Sequence, residues 1–534
     1  MFDLLKKYNL LFIFILIIFS FYFFFTKDFI QINGDTSNFI DYFWRLKNGQ
    51  VPHQDFRSPF GPTLKLLFNI GDFLNNNLFL QKFNILESFL ISKLLFSVFI
   101  FILSFCLIVE FLGNKKLNIY LSIILSLYIS SYYLTSRAFG YFSLQSLTSF
   151  YNSLIISSFF LIIIFVLYLI IKIDFKNKSI INSYILSFIF GFIVSFLIHL
   201  KISAIIISLP LLLIFFFFIN INHIRYNFYY FLFGIFFYIL IIISLIGVKA
   251  YFFYIIENYN YLKITLDQDL TQNVRLSEKY TIAALYNSLK DLLILVLCLF
   301  VLIRVNNKKF EFILISKIKI LVLIFSYFLV SYVLQITSVQ YPESGVGEFV
   351  LLAFVLLIII QKINIINKIL CSLLLVGPAI ISYKNILIPI SFFFYSTYGI
   401  SISTNQDKEY YKNYASYNFL EKIINTEKQF IVGKNLDEIK SNLTTYYQLY
   451  DSPKLSHIGC SVPISYITKT TPPKNSNLFW HYGVNFKNNI HNVDVKNETN
   501  IFFDCENSYS SNVNLKRHFN KKISFSDKVN IWLK

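Results

Sequence analysis

Ionisable residues crowd one short polar stretch near the start of the chain. Asp35, Asp41, Arg45, His53, Asp55 and Arg57 all lie within Asn33–Pro62, NGDTSNFIDYFWRLKNGQVPHQDFRSPFGP. A tether kept in water between two apolar segments needs neither three acids and two arginines nor Gly-Pro punctuation, so the stretch reads as a structured site. A helix-like run separates Asp35 from Gly49-Gln-Val-Pro52, and Asp55 follows, so two carboxylates flank one small element. Carboxylates placed this way can work on a hydroxyl nucleophile. One acts as general base, and the other orients the nucleophile or holds a cation.

The rest of the chain must position that loop. Of its 534 residues, 56% are hydrophobic and only 14% charged, and the mean hydropathy of +0.60 lies far outside soluble usage. Together these point to a polytopic α-helical membrane protein. The formal net charge of +18 does not imply nucleic acid. The lysines fall in short segments between apolar runs and in the tail, the pattern of cytoplasmic loops under the positive-inside rule. There is no Gly-Lys-Ser phosphate cradle, no zinc-spaced Cys/His cluster, no Gly-x-Ser-x-Gly and no aromatic-basic surface for bases. No Rossmann-type half precedes the apolar runs, which argues against a soluble nucleotide sugar as donor.

Lys6 and Lys7 precede an apolar run from Leu10 to Phe25 with no small-residue cleavage site after it. It is expected to be a retained first span with a cytoplasmic start, putting the loop (27–84) on the outer face. Thr63–Phe83 is too polar to span and suits one or two helices in the outer interface. Further spans are expected at Leu86–Leu112, Leu117–Thr135, Leu154–Ile171, Tyr184–Ile198, Ser203–Phe218, Tyr229–Val248, Leu289–Ile303, Ile318–Leu334, from Glu348, and at Ile369–Tyr383. A second outer loop is expected from Lys249 to Asn287. Ile386–Ile400, interrupted by Pro389, reads equally as a further span, a re-entrant piece or a surface helix, so the bundle holds about 11 to 12 spans.

Residues 1–400 thus form the membrane region. From 401 to 534 the composition becomes that of a small outer α/β domain. Its expected strands lie at Lys428–Gly433 and Asn500–Asp504, with a helix at Leu436–Tyr450. Cys460 and Cys505 are the tail's two cysteines, and outside the cytoplasm they either close a disulfide or stay free thiols.

One resemblance attaches to these residues. Gly34-Asp35, Tyr42, Gly49-Gln-Val-Pro52-His-Gln-Asp55-Phe56 and Pro59-Phe-Gly-Pro62 together resemble the first outer loop of the GT-C superfamily of glycosyltransferases. The branch in question includes protein O-mannosyltransferases and lipid A aminoarabinose transferases. The resemblance covers the first loop well and the remainder through span number, loop layout and an outer C-terminal domain. It implies inverting transfer of a sugar from a polyprenyl-phosphate donor to a lipid, glycan or protein acceptor at the outer face of a bacterial inner membrane. It also implies that Asp35 is the base and Asp55 the second acid. Many relatives carry an acid after the first one, whereas Thr36 stands here, so the need for a divalent cation, held if at all by Asp35 and Asp55, stays open.

A leaving phosphate needs a fixed cation. Lys201, at the end of a span, and Arg137, in Ser-Arg-Ala-Phe-Gly-Tyr, are the candidates. His53 is placed to touch donor or acceptor. Arg57 is placed to tie the loop down through Asp55 or Asp41, and otherwise to reach substrate. Two other classes compete with the transferase, a flippase or transporter of lipid-linked glycans and a glycan polymerase. A transporter should carry internal repeats with matched Gly or Pro breaks, and Pro210, Pro378 and Pro389 form no such pairs.

Overall fold

The computed structural model describes residues 6–26, 34–58, 60–80, 85–112, 116–134, 137–138, 141–145, 180–201 and 221–267. In the tail it describes 454–458, 465–466, 470–474, 476–477, 500–504, 519–524 and 530–533, with isolated positions between 154 and 161 and between 282 and 289. The described residues are mostly helical. Helices α1 (Asn9–Thr26), α2 (Gly34–Lys47), α3 (Thr63–Asn77), α4 (Ile85–Leu112) and α5 (Lys116–Leu134) come first. A hairpin of β2 (Arg137–Ala138) and β3 (Tyr141–Gln145) follows, then α6 (Ile180–Leu200), α7 (Ile221–Ile246) and α8 (Val248–Asp267). A two-residue strand β1 (Phe56–Arg57) lies between α2 and α3.

Two helices, over Ile85–Glu110 and Tyr226–Ile246, are long and apolar enough to cross a membrane. α4 is the hub, packing on α1, α2, α3 and α5. Its buried serines do not break it, because each hydroxyl returns to a carbonyl of the preceding turn: Ser92 to Phe89, Ser97 to Lys93 and Ser104 to Ile100. α6 and α7 pack most extensively. Their backbones touch where Gly191 faces the Phe231 carbonyl and Gly234 faces that of Phe188, and Tyr184 stacks on Tyr230 with centroids 5.0 Å apart. The opposite sides of α1 and α7 expose large apolar groups, among them Phe14, Phe21, Phe233 and Phe236.

Both loop regions take helical form. The polar stretch expected to hold one or two interfacial helices holds one among the described residues, α3, with a single buried face. Thr63, Leu64, Leu67, Phe68, Gly71 and Asn75 form its buried stripe, the i, i+3, i+4 spacing of a face against neighbours. The long outer loop expected from Lys249 begins as helix α8. Gly247, at φ +85°, ends α7 in the left-handed conformation with its N–H on the Ile243 carbonyl, and the chain turns straight into α8. Aromatic and charged residues mixed along 249–267 suggested a loop, but Ala250 and Tyr254 are both buried and sit one turn apart, which gives the segment a helical inner face.

In the tail, β4 (Leu455–Ile458), β6 (Ile501–Asp504), β8 (Asn530–Leu533) and β7 (Lys521–Ser524) form one sheet in that order. The β4–β6 pair is parallel and the other two pairs are antiparallel. The expected strand at 500–504 is thus present as β6, with Ile501 fully buried. The spans expected at 154–171 and 289–303, isolated positions aside, those at 203–218 and between 318 and 400, the elements at 428–450, and Cys460 and Cys505 lie outside the described residues. β5 (Ser476–Asn477) leaves the tail to pair in parallel with β1.

Candidate functional site

The first loop is folded because α2 is amphipathic. Phe39, Ile40, Tyr42 and Phe43 are buried on one side. Phe39 stacks on Phe60 at 4.4 Å and Phe43 on Phe68 at 4.7 Å. Burial pushes the Tyr42 phenol far above its ordinary pKa. Asp35 is the second residue of α2, so it sits at the start of the helix while Asp55 lies beyond its end.

On the same helix Asp41 and Arg45, one turn apart and 1% and 3% exposed, form an ion pair of 3.1 Å. The Arg45 guanidinium also donates to Gln50 Oε1 and to the Pro473 carbonyl, both at 3.3 Å, and lies over the Phe56 ring. After α2 the chain turns through Gly49 at φ +75°, with the Gln50 N–H on the Arg45 carbonyl. The Asp55 carboxylate accepts the Val51 N–H at 2.9 Å, while its own N–H donates to the Val51 carbonyl at 2.8 Å. These bonds close a tight ring around His53.

His53 adopts φ +68°, a conformation that strains a residue with a side chain. What holds it there is visible on both ends. Its N–H donates to the Phe56 carbonyl, and its Nδ1 lies 2.6 Å from Glu257 Oε2 on α8. Its Nε2 is buried without a hydrogen-bond partner among the described residues. The imidazole faces the Tyr254 ring at 5.0 Å, and burial raises the Tyr254 phenol pKa well above its usual value.

The loop then docks on the end of α6. The Gly61 N–H donates to the Leu200 carbonyl at 3.2 Å, and a Cβ on Gly61 would overlap the His199 carbonyl oxygen. Thr63 donates to the Phe196 carbonyl at 3.2 Å and meets the Tyr238 hydroxyl at 2.7 Å. Lys65 caps the end of α7 through the Leu245 carbonyl at 3.0 Å. Burial lowers the Lys65 pKa, with Asp55 pulling it the other way. Because the obstacle at Gly61 is backbone and cannot swing aside, Gly61→Ala is expected to cost about 1–3 kcal/mol. Faster proteolysis between α2 and α3 in detergent would report it, and an unchanged cleavage rate would contradict this docking.

The structure brings His53 and Asp55 together with two residues the sequence did not single out, Glu257 and Lys474. Lys474 Nζ lies 3.2 Å from Asp55 Oδ1. Arg57, expected to tie the loop down, instead sits exposed on β1. That task falls to Arg45 on Asp41 and to Lys474 on Asp55. Lys201 follows α6 directly, its N–H on the Leu197 carbonyl, one residue beyond the Leu200 carbonyl that holds Gly61. His199 uses both ring nitrogens. Nδ1 lies 2.7 Å from the Ser195 carbonyl, an acceptor only, so Nδ1 carries the proton and Nε2 accepts from the Tyr251 hydroxyl at 3.0 Å. Arg137 lies in β2 of the hairpin. Among the described residues no three His, Cys, Asp or Glu side chains group as a metal site.

No protein-family model, curated protein or solved structure matches this chain.

Proposed function

We propose that this chain is a GT-C-type membrane glycosyltransferase that transfers a sugar, with inversion, from a polyprenyl phosphate to an acceptor hydroxyl on the outer face. The observation that carries the proposal is the build of the first loop. It is clamped between α6, α8 and the tail, with Asp35 at the head of α2 and Asp55 locked beyond its end. A loop serving only as a connector would not need that many buried polar anchors.

In the reaction Asp35 takes the proton of the acceptor hydroxyl. The freed oxygen bonds to the anomeric carbon as the bond from that carbon to the phosphate oxygen breaks, and the polyprenyl phosphate leaves with the electron pair. Arg57, exposed on β1, and Lys201 and Arg137 supply candidate cations for the leaving phosphate. The exposed apolar faces of α1 and α7 meet lipid, and the bundle is a polytopic one in the bacterial inner membrane.

The pairing of β1 with β5 also bears on topology. The pairing supports the reading that first loop and tail share one side of the membrane, with an even number of crossings between them. On that reading the total with α1 is odd, which favours about eleven spans over twelve. A membrane-impermeant thiol reagent should therefore reach Cys460 or Cys505 in intact cells after reduction, and labelling only after lysis would reverse this topology.

The test of function is transfer of radiolabelled sugar from a panel of polyprenyl-phosphate sugars in membranes holding the chain. Turnover of one donor, absent from membranes without the protein, supports the transferase and names the sugar. Turnover of none removes the reading, and a transbilayer assay of lipid-linked glycans would follow.

A further inference from the structure

Both oxygens of Asp55 are engaged. Oδ2 takes the Val51 N–H at 2.9 Å, and Oδ1 faces the Lys474 ammonium at 3.2 Å. Lys474 is a surface residue, its side chain 59% exposed, and a lone surface lysine would carry little weight. Its backbone, however, is delivered to this spot by a strap, Thr-Thr-Pro-Pro-Lys over 470–474.

The first loop grips that strap by its carbonyls. Trp44 Nε1 donates to Thr470 at 2.7 Å, Gln50 Nε2 to Pro472 at 2.6 Å, and Arg45 to Pro473 at 3.3 Å. Pro472 and Pro473 have no N–H, so carbonyls are all their backbone can offer, and their fixed φ reduces the entropy lost on docking. Beyond Lys474 the chain continues into β5 on β1. The backbone on either side of Lys474 is thus held to the first loop.

A divalent ion on Asp55 would need its oxygens at about 2.0–2.6 Å, with several further oxygen ligands. The Lys474 ammonium stands on Oδ1 and the Val51 N–H stands on Oδ2. Among the other described acids of this region, one oxygen of Asp41 pairs with Arg45, one of Asp72 with Lys47, and one of Glu257 with His53. Asp55 thus meets an ammonium and a backbone N–H where a divalent ion would need further oxygen ligands.

We propose that Lys474, supplied by the tail, is the resident cation of Asp55 and positions its carboxylate without a divalent ion. The activity part of this proposal rests on the transferase reading, and its other parts do not. Three measurements on the full-length chain test it.

In Asn48→Cys/Thr471→Cys, at positions whose native Oδ1 and Oγ1 lie 3.3 Å apart, a cross-link between the two positions through a short bis-methanethiosulfonate reagent should form in membranes and be found by mass spectrometry as a linked peptide pair. Its failure to form overturns the strap. Mn2+ alone, titrated into purified protein and read by electron paramagnetic resonance, should bind wild type and Asp55→Asn equally. Binding lost in Asp55→Asn overturns the proposal whether or not any donor is turned over.

In transfer assays wild type should keep its turnover in EDTA. Lys474→Met should lower kcat about fivefold with donor KM within twofold, and Lys474→Arg should recover most of the loss. EDTA-sensitive transfer restored by Mg2+ or Mn2+ in wild type but not in Asp55→Asn would overturn it, as would full turnover in Lys474→Met. A wild type that turns over no donor removes the transferase reading, and the cross-link and Mn2+ results then decide on the strap and its cation.

Discussion

Arg45→Ala is expected to be the most destabilising single change in the first loop. Arg45 and Asp41 are both almost fully buried, and removing the guanidinium leaves the Asp41 carboxylate without its partner in a site that water does not reach. Breaking a buried pair in this way costs about 3–5 kcal/mol. Asp41 Oδ1 is already unsatisfied among the described residues, which leaves the carboxylate no other bond to fall back on. Gln50 Oε1 and the Pro473 carbonyl lose a donor at the same time, so the loop and the strap should loosen together.

Thermal unfolding in detergent and protease access to the strap are the measurements. Arg45→Lys should lie between wild type and Arg45→Ala, because an ammonium keeps the charge but cannot serve Asp41, Gln50 and Pro473 from one planar fork. Asp41→Leu/Arg45→Leu should recover part of the loss, since no buried charge remains. A shift within experimental error in Arg45→Ala would mean that the pair is solvated and the loop less buried than described.

Asp35→Asn is expected to have the largest effect on activity. A general base contributes roughly 100- to 10,000-fold, and asparagine keeps the size of aspartate and its tolerance at a helix start while losing the ability to take a proton. Turnover should fall by about that factor with the protein still in the membrane at normal level. Asp55→Asn should be milder, because its amide oxygen can still accept the Val51 N–H and only the attraction to Lys474 is lost. Near-normal transfer in Asp35→Asn would take the base role from Asp35. Near-normal transfer in Asp35→Asn joined with collapse in Asp55→Asn would move that role to the second acid.

What the sequence by itself determined is local. The density of charge in Asn33–Pro62, the apolar runs that became α1, α4, α5, α6 and α7, and the strand at 500–504 all follow from residue types within a window of a few turns. Period and composition report which face of a segment seeks burial, and that is enough to find a helix or a structured loop. They do not report what will cover that face.

Tertiary structure alone decided the partners. Glu257 meets His53 across 204 positions of sequence, and Pro473 meets Arg45 across 428. Nothing local marks Glu257 among the aromatics of α8 or Lys474 after two prolines. The sequence pointed to Arg57, and not Arg45, as the residue that ties the loop down. Packing put Arg45 on the inner face of α2, one turn from Asp41, and left Arg57 exposed on β1. The same holds for α8, whose mixed composition became helical because Tyr254 found His53 and the end of α6 to pack against. Long-range choices of this kind depend on which surfaces meet once the helices pack, and a one-dimensional pattern does not encode that meeting.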